Sequence, residues 1–205
     1  MKIEIRSDSE VMLSGYVNAV ERRSAVLPQR ICRTAPGNFS EIIKSGVFGA
    51  SLKRKPEVRL RFNHERDIGS TLKGLTLRED NIGLYAEAVV TDPETVSAAR
   101  EGRLTGWSFG FTSPAEEWSE PDEKGVYTRS ITELELEEVS ILTKRPAYPA
   151  TSVEVRDGTA QEHEYRAHEE ENEVTDLTEN IKSNMNVRQA ELDLIRLKGA
   201  KFYES

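Results

Sequence analysis

Across the first 156 residues, apolar and polar positions alternate more often than they recur every three or four. Ile3 and Ile5 flank a charged residue, and residues 11–20 form a second extended run joined through Gly15. Two prolines and a glycine within 28–38 mark an irregular loop. Phe39, Ile42, Ile43 and Val47 recur at helical spacing behind Asn38, which predicts a capped helix over 39–48. Val58, Leu60 and Phe62 then alternate with Arg59, Arg61 and Asn63, a half-buried strand that ends at His64. Residues 72–78 and 84–91 flank a turn carrying Asp80, Asn81 and Gly83, the signature of a hairpin. Asp92 and Pro93 supply a cap and a proline at the first helical position, so a second helix runs to about residue 101 and stops at Gly102. Residues 106–118 and 127–143 read as two long strands around a turn at 121–125. Pro146 and Pro149 end the second, and Val153 and Val155 give one last short strand.

Strands of this number and spacing predict a mainly β fold with a few helices, arranged as a closed or nearly closed barrel or as a sandwich. The pattern changes after Arg156. Residues 162–173 hold six glutamates in twelve positions with almost no apolar anchors, the mark of a solvated segment. Val187, Ala190, Leu194 and Leu197 then recur at three-and-four spacing and predict an amphipathic helix over 186–198, which needs a partner surface to be stable. The expected organisation is a folded domain over 1–156, an acidic disordered linker over 157–185 and a helical tail over 186–205.

Charge sharpens that division. Residues 1–156 carry 24 acids and 22 bases, whereas 157–205 carry 12 acids and 6 bases, so most of the net charge of −8 sits in the tail. Neither part has the positive balance of a nucleic-acid binder. No apolar run is long enough to span a membrane, and the N-terminus does not read as a signal peptide. The single cysteine, Cys32, cannot form an internal disulfide, and no Cys/His cluster has metal-ligand spacing. The expectation is a soluble protein of a reducing cytoplasm with no metal and no cofactor.

Few residues of the 1–156 segment can do covalent chemistry. His64 is its one histidine and stands at a strand end. Ser108 lies in Gly106-Trp107-Ser108-Phe109-Gly110-Phe111, between two aromatic residues and two glycines on a strand. This is not the strand–turn–helix nucleophile elbow. Glu138 lies in a strand where alternation places it with Leu136, Ser140 and Leu142, and places Glu137 with Val139 and Ile141. A serine hydroxyl becomes a nucleophile when a neighbouring base takes its proton. An imidazole suits that task near neutrality, and a third group must orient the imidazole. Singly, each residue is more often an ordinary strand residue; together they form a candidate triad.

Several blocks in order resemble the caudoviral prohead protease family, over roughly residues 11–156. They are Gly15-Tyr16-Val17, the segment 39–48, Phe62-Asn63-His64 followed by Ile68-Gly69-Ser70, Asp80-Asn81-Ile82-Gly83-Leu84, the Ser108 block, Glu138-Val139-Ser140-Ile141-Leu142-Thr143 and Pro146-Ala147-Tyr148-Pro149. The resemblance implies a fold like that of herpesvirus assemblin, a β-barrel surrounded by short helices. It implies Ser108 as nucleophile and His64 as general base, with Glu138 as third member and Glu137 or Glu65 as alternatives. Lys144 and Arg145 match a segment that helps stabilise the oxyanion in assemblin-like enzymes. The implied activity is a serine endopeptidase that cleaves the major capsid protein, the scaffold and itself inside the procapsid, in the host cytoplasm. A homodimer is expected by the same analogy. The competing expectation is a non-catalytic scaffold or assembly factor that docks through its tail.

Overall fold

In the computed structural model, residues 1–55, 57–143, 164–169 and 172–178 are described. The chain runs through β1 (Lys2–Ser7), β2 (Glu10–Ala19), β3 (Phe39–Ile43), α1 (Val47–Arg54), β4 (Arg59–Phe62), β5 (Arg66–Ser70) and β6 (Leu75–Glu79). It continues through β7 (Gly83–Val90), α2 (Pro93–Arg100), β8 (Gly106–Trp118), β9 (Tyr127–Leu142), β10 (Glu164–Glu169) and β11 (Glu173–Asp176).

Two sheets result. The first has the order β11-β1-β2-β7-β6. Its central pair β2 and β7 approach so closely that a Cβ on Gly83 would lie 2.0 Å from the Asn18 carbonyl oxygen, which only glycine avoids. The predicted β6–β7 hairpin forms, with Asp80 Oδ1 accepting from the backbone N–H groups of Ile82 and Gly83. The second sheet has the order β10-β8-β9-β4-β5. The sixteen-residue β9 is its spine: one edge pairs antiparallel with β8, and the other pairs parallel with β3 and then with β4.

Alternation along these strands sends Ile3, Ile5, Val11 and Leu13 of one sheet and Trp107, Phe109, Val139 and Ile141 of the other into one core cluster. Each such side chain contributes about 1.5–3 kcal/mol by leaving water. The aromatic residues on either side of Ser108 therefore anchor its strand. A smaller cluster around Leu27, Ile31, Cys32, Ala35 and Phe39 packs beneath the loop before β3.

The expected barrel is not formed: among the described residues both sheets stay open. The chain leaves the second sheet at the end of β5, turns through 71–74 and enters the first sheet as β6, so no ladder joins the two ends of either sheet. The helix expected over 39–48 is also corrected. Residues 39–43 are a parallel strand against β9, and helix starts only at Val47, behind Gly46 with φ 87°. A strand buried on both faces loses the two-residue alternation. Here Phe39, Ser40, Glu41 and Ile43 are all buried, which leaves an accidental helical period. The second helix starts as predicted, with the Asp92 side chain accepting from the Thr95 N–H and Pro93 in the first turn. Within the stretch expected to be an acidic linker, Glu164–Glu169 and Glu173–Asp176 are strands of the two sheets. The expected domain boundary at 156, the strand at Val153 and Val155, and the 186–198 helix lie outside the described residues.

Candidate active site

Register builds the site. Paired residues on neighbouring strands share a sheet face. Pairing of Ser108 with Ser140 and of Gly110 with Glu138 therefore puts Ser108, Ser140 and Glu138 on one face, and parallel pairing of Arg61 with Ser140 adds Arg61. The opposite face is the aromatic and aliphatic core. A register shift opposite Gly110 and Phe111 breaks the expected alternation of β9, so Leu136 joins the core while Glu138 does not.

His64 reaches this face through a tight turn. Asn63 and His64 are the central residues between β4 and β5, with φ of 53° and 64°, and the Glu65 N–H donates to the Phe62 carbonyl at 3.0 Å. Asn63, His64 and Glu65 separate the paired residues Phe62 and Arg66, and two positive φ values suit the twist of such a tight hairpin. For residues other than glycine they cost energy that the surroundings must offset. The Asn63 side chain does so: its Nδ2 donates to Thr143 Oγ1 at 3.0 Å, and its Oδ1 accepts from the Thr143 N–H at 2.9 Å. The turn is thereby fastened to the end of β9.

His64 Nδ1 lies 2.6 Å from Glu138 Oε1. The carboxylate also accepts from Arg61 Nη1 at 2.8 Å and from Ser140 Oγ at 3.1 Å. Its side chain is 2% exposed. Burial alone would raise the Glu138 pKa, but the hydrogen bonds from His64 and Arg61 outweigh it and hold the carboxyl below its ordinary range. An ionised Glu138 makes Nδ1 the protonated nitrogen of a neutral imidazole and leaves the Nε2 lone pair to accept a proton. Arg61 is held in turn by Asp67, 2.9 Å from Nε, and by the Glu65 carbonyl.

Ser108 is 1% exposed, and its hydroxyl donates to the Arg166 carbonyl of β10 at 2.8 Å. It makes no hydrogen bond to His64. The Tyr165 ring of β10 packs edge-to-face on the His64 imidazole, with centroids 4.6 Å apart. Room for that ring comes from Gly110, where a Cβ would meet Tyr165 Cε1 at 2.7 Å and Glu138 Cγ at 2.9 Å.

Of the expected residues, His64 and Glu138 are thus in contact and Ser108 stands on the adjoining strand with its hydroxyl engaged by β10. Glu65 is exposed, and neither it nor Glu137 is the acid hydrogen-bonded to Nδ1. Lys144 and Arg145 lie outside the described residues. Arg61 and Ser140 were missed. Arg61 could have been found from its place two residues before the Asn63-His64 turn, on the alternate face from Leu60 and Phe62.

A family model described as caudovirus prohead serine protease matches residues 1–166 of the chain. No curated protein and no solved structure matches it.

Proposed function

We propose, from the premise that this chain belongs to the caudovirus prohead serine protease family and is a serine endopeptidase of capsid maturation, that Ser108 is the nucleophile, His64 the general base and Glu138 the carboxylate that positions the imidazole. The observation that carries this assignment is the 2.6 Å contact between His64 Nδ1 and Glu138 Oε1, on the sheet face that also holds Ser108.

The steps follow from those groups. Ser108 Oγ gives its proton to His64 Nε2 and attacks the scissile carbonyl carbon. The imidazolium is stabilised by ionised Glu138 and returns the proton to the leaving amide nitrogen. Water, deprotonated by the same imidazole, then cleaves the acyl-serine ester and restores the hydroxyl. Arg61 keeps Glu138 ionised and aimed. The enzyme acts on capsid or scaffold proteins in association with the procapsid. The reading extends to the major capsid protein and scaffold as specific substrates, and to this chain itself.

The test is co-expression with the cognate capsid protein, followed by mass spectrometry of the products. Wild type yields shortened capsid protein and a shortened protease chain. Ser108→Ala yields neither, while its circular dichroism stays unchanged. Processing by a folded Ser108→Ala protein would refute the nucleophile assignment.

A further inference from the structure

A strand from the C-terminal part of the chain, β10, lies on the strand that bears Ser108. β10 pairs antiparallel with β8, from Glu164 opposite Phe111 to Glu169 opposite Gly106, and forms the edge of its sheet. Its backbone carbonyl at Arg166 accepts from the Ser108 hydroxyl, and its Tyr165 ring rests on His64. An extended peptide laid on a sheet edge gains main-chain hydrogen bonds, and alternate side chains then set specificity.

Those side chains are partnered by different parts of the protein. Tyr165 lies on the His64 face. Glu164 and Arg166 point to the other face, where Arg166 is buried. Its Nε donates to Glu41 Oε1 at 2.8 Å and its Nη2 to Glu41 Oε2 at 2.7 Å, a two-point clamp on one carboxylate. Glu41 belongs to β3, which pairs with β9 and not with β10, so the clamp belongs to the protein that β10 lies on. Arg129 holds Glu41 from the other side at 3.0 Å and is also paired with Glu116. Without β10, Glu41 and Glu116 against Arg129 leave an excess of one negative charge. β10 brings the Arg166 guanidinium to Glu41 together with the Glu164 carboxylate, which pairs with both arginines, so the strand adds no net charge and it is the guanidinium that meets Glu41.

We infer that the edge of β8 is the substrate-binding edge of the protease, that Glu41 recognises a basic side chain on the residue whose carbonyl is attacked, and that β10 occupies this edge as a built-in competitor. This rests on Ser108 being the nucleophile. The bond that follows the clamped residue is the one cleaved. Ser108 Oγ adds to its carbonyl carbon, its proton passes through His64 to the nitrogen of the next residue, the carbon–nitrogen bond breaks, and water releases the acid. While β10 is in place the hydroxyl proton is directed to the Arg166 oxygen rather than to His64. A substrate strand therefore has to displace β10.

The probe is a synthetic peptide copying residues 160–173, with its position 166 as arginine, lysine or norleucine, given to the full chain and analysed by mass spectrometry. Cleavage is expected after position 166. Norleucine should lower kcat/KM by about 10- to 150-fold, the value of hydrogen bonds to a charged group. Lysine, which cannot make the two-point clamp, should fall between. The Arg166→Ala chain, with its own strand weakened, should cleave the arginine peptide about 10-fold faster than wild type. Glu41→Gln should abolish the preference for arginine over norleucine. The peptide series on the wild-type chain decides the matter even if Glu41→Gln does not fold. Equal cleavage of all three peptides, cleavage at another bond, or no gain from Arg166→Ala overturns the inference. Ser108-dependent processing of capsid protein alongside any of those results leaves the nucleophile assignment standing, whereas processing by Ser108→Ala removes both.

Discussion

His64 and Glu138 are 74 residues apart in sequence and meet at 2.6 Å, because the tight turn between β4 and β5 brings the imidazole to the strand that carries the carboxylate. The contact fixes which imidazole nitrogen holds the proton, and it makes the carboxylate the point at which the site is most exposed to substitution.

Glu138→Gln keeps the shape of the side chain but removes its charge. An amide can donate to Nδ1 and so favour the wrong tautomer. The expected result is a loss of about 10⁴-fold in processing rate, the scale seen when a triad carboxylate becomes an amide, with folding retained. Rates of capsid-protein cleavage measured beside circular dichroism check this. Wild-type rates in a folded variant would move the positioning role to another group.

Arg61 acts through Glu138 and touches no reacting atom. Arg61→Met leaves a buried carboxylate with His64 and Ser140 as its remaining partners. Breaking a buried pair from one side costs about 3–5 kcal/mol, which lowers Tm on the order of 10 °C for a domain of this size. The double variant Arg61→Met/Glu138→Gln should be more stable than the sum of the single losses predicts, because the uncompensated charge is gone. Strict additivity in the thermal melts would show that the pair is not coupled.

The turn itself is a third point of attack. Asn63→Gly can hold φ near 53° but loses the hydrogen bonds to Thr143. Asn63→Val loses them and also pays about 1–2 kcal/mol for the left-handed conformation. Activity and Tm should both fall in the order wild type, glycine, valine. A valine variant that processes capsid protein at the wild-type rate would show that the turn does not position His64.

How much of this was legible follows from the range of each interaction. β8 and β9 were readable because their aromatic and aliphatic alternation is local, and α2 because Asp92 and Pro93 sit next to it. The candidate residues His64, Ser108 and Glu138 could be singled out because each has distinct chemistry at a strand or a strand end, but that His64 sits in a turn after β4 and meets Glu138 was not readable. Nor was sheet closure, because it depends on which strand ends pair and not on how many strands there are. β3 was misread because Glu41 is buried against arginines 88 and 125 residues away, so its environment leaves no trace nearby. β10 was hidden for the same reason. Glu164 and Arg166 look like a solvated charge run until Arg129 and Glu41 are placed beside them.

That buried cluster gives a prediction with a sign. Arg129 pairs with Glu41, Glu116 and Glu164, and Arg166 with Glu41 and Glu164. Burial would raise Glu116, but the hydrogen bond from Thr34 and the charge of Arg129 hold its pKa below the ordinary range. Like Glu138, it therefore supplies stability that is complete above the unfolded glutamate value of about 4.3 and is lost as pH falls through the lower folded-state value. Wild type should lose Tm below about pH 4. In Arg129→Met three carboxylates face one remaining guanidinium, which costs about 3–5 kcal/mol at neutral pH. Crowded carboxylates without their cation bind protons more readily than exposed ones. Acid therefore relieves the variant while it destabilises the parent. The Tm gap between the two proteins, measured by calorimetry, should be widest at pH 7 and narrow towards pH 4. A gap that widens on acidification would mean that Arg129 is not the group holding Glu116 ionised.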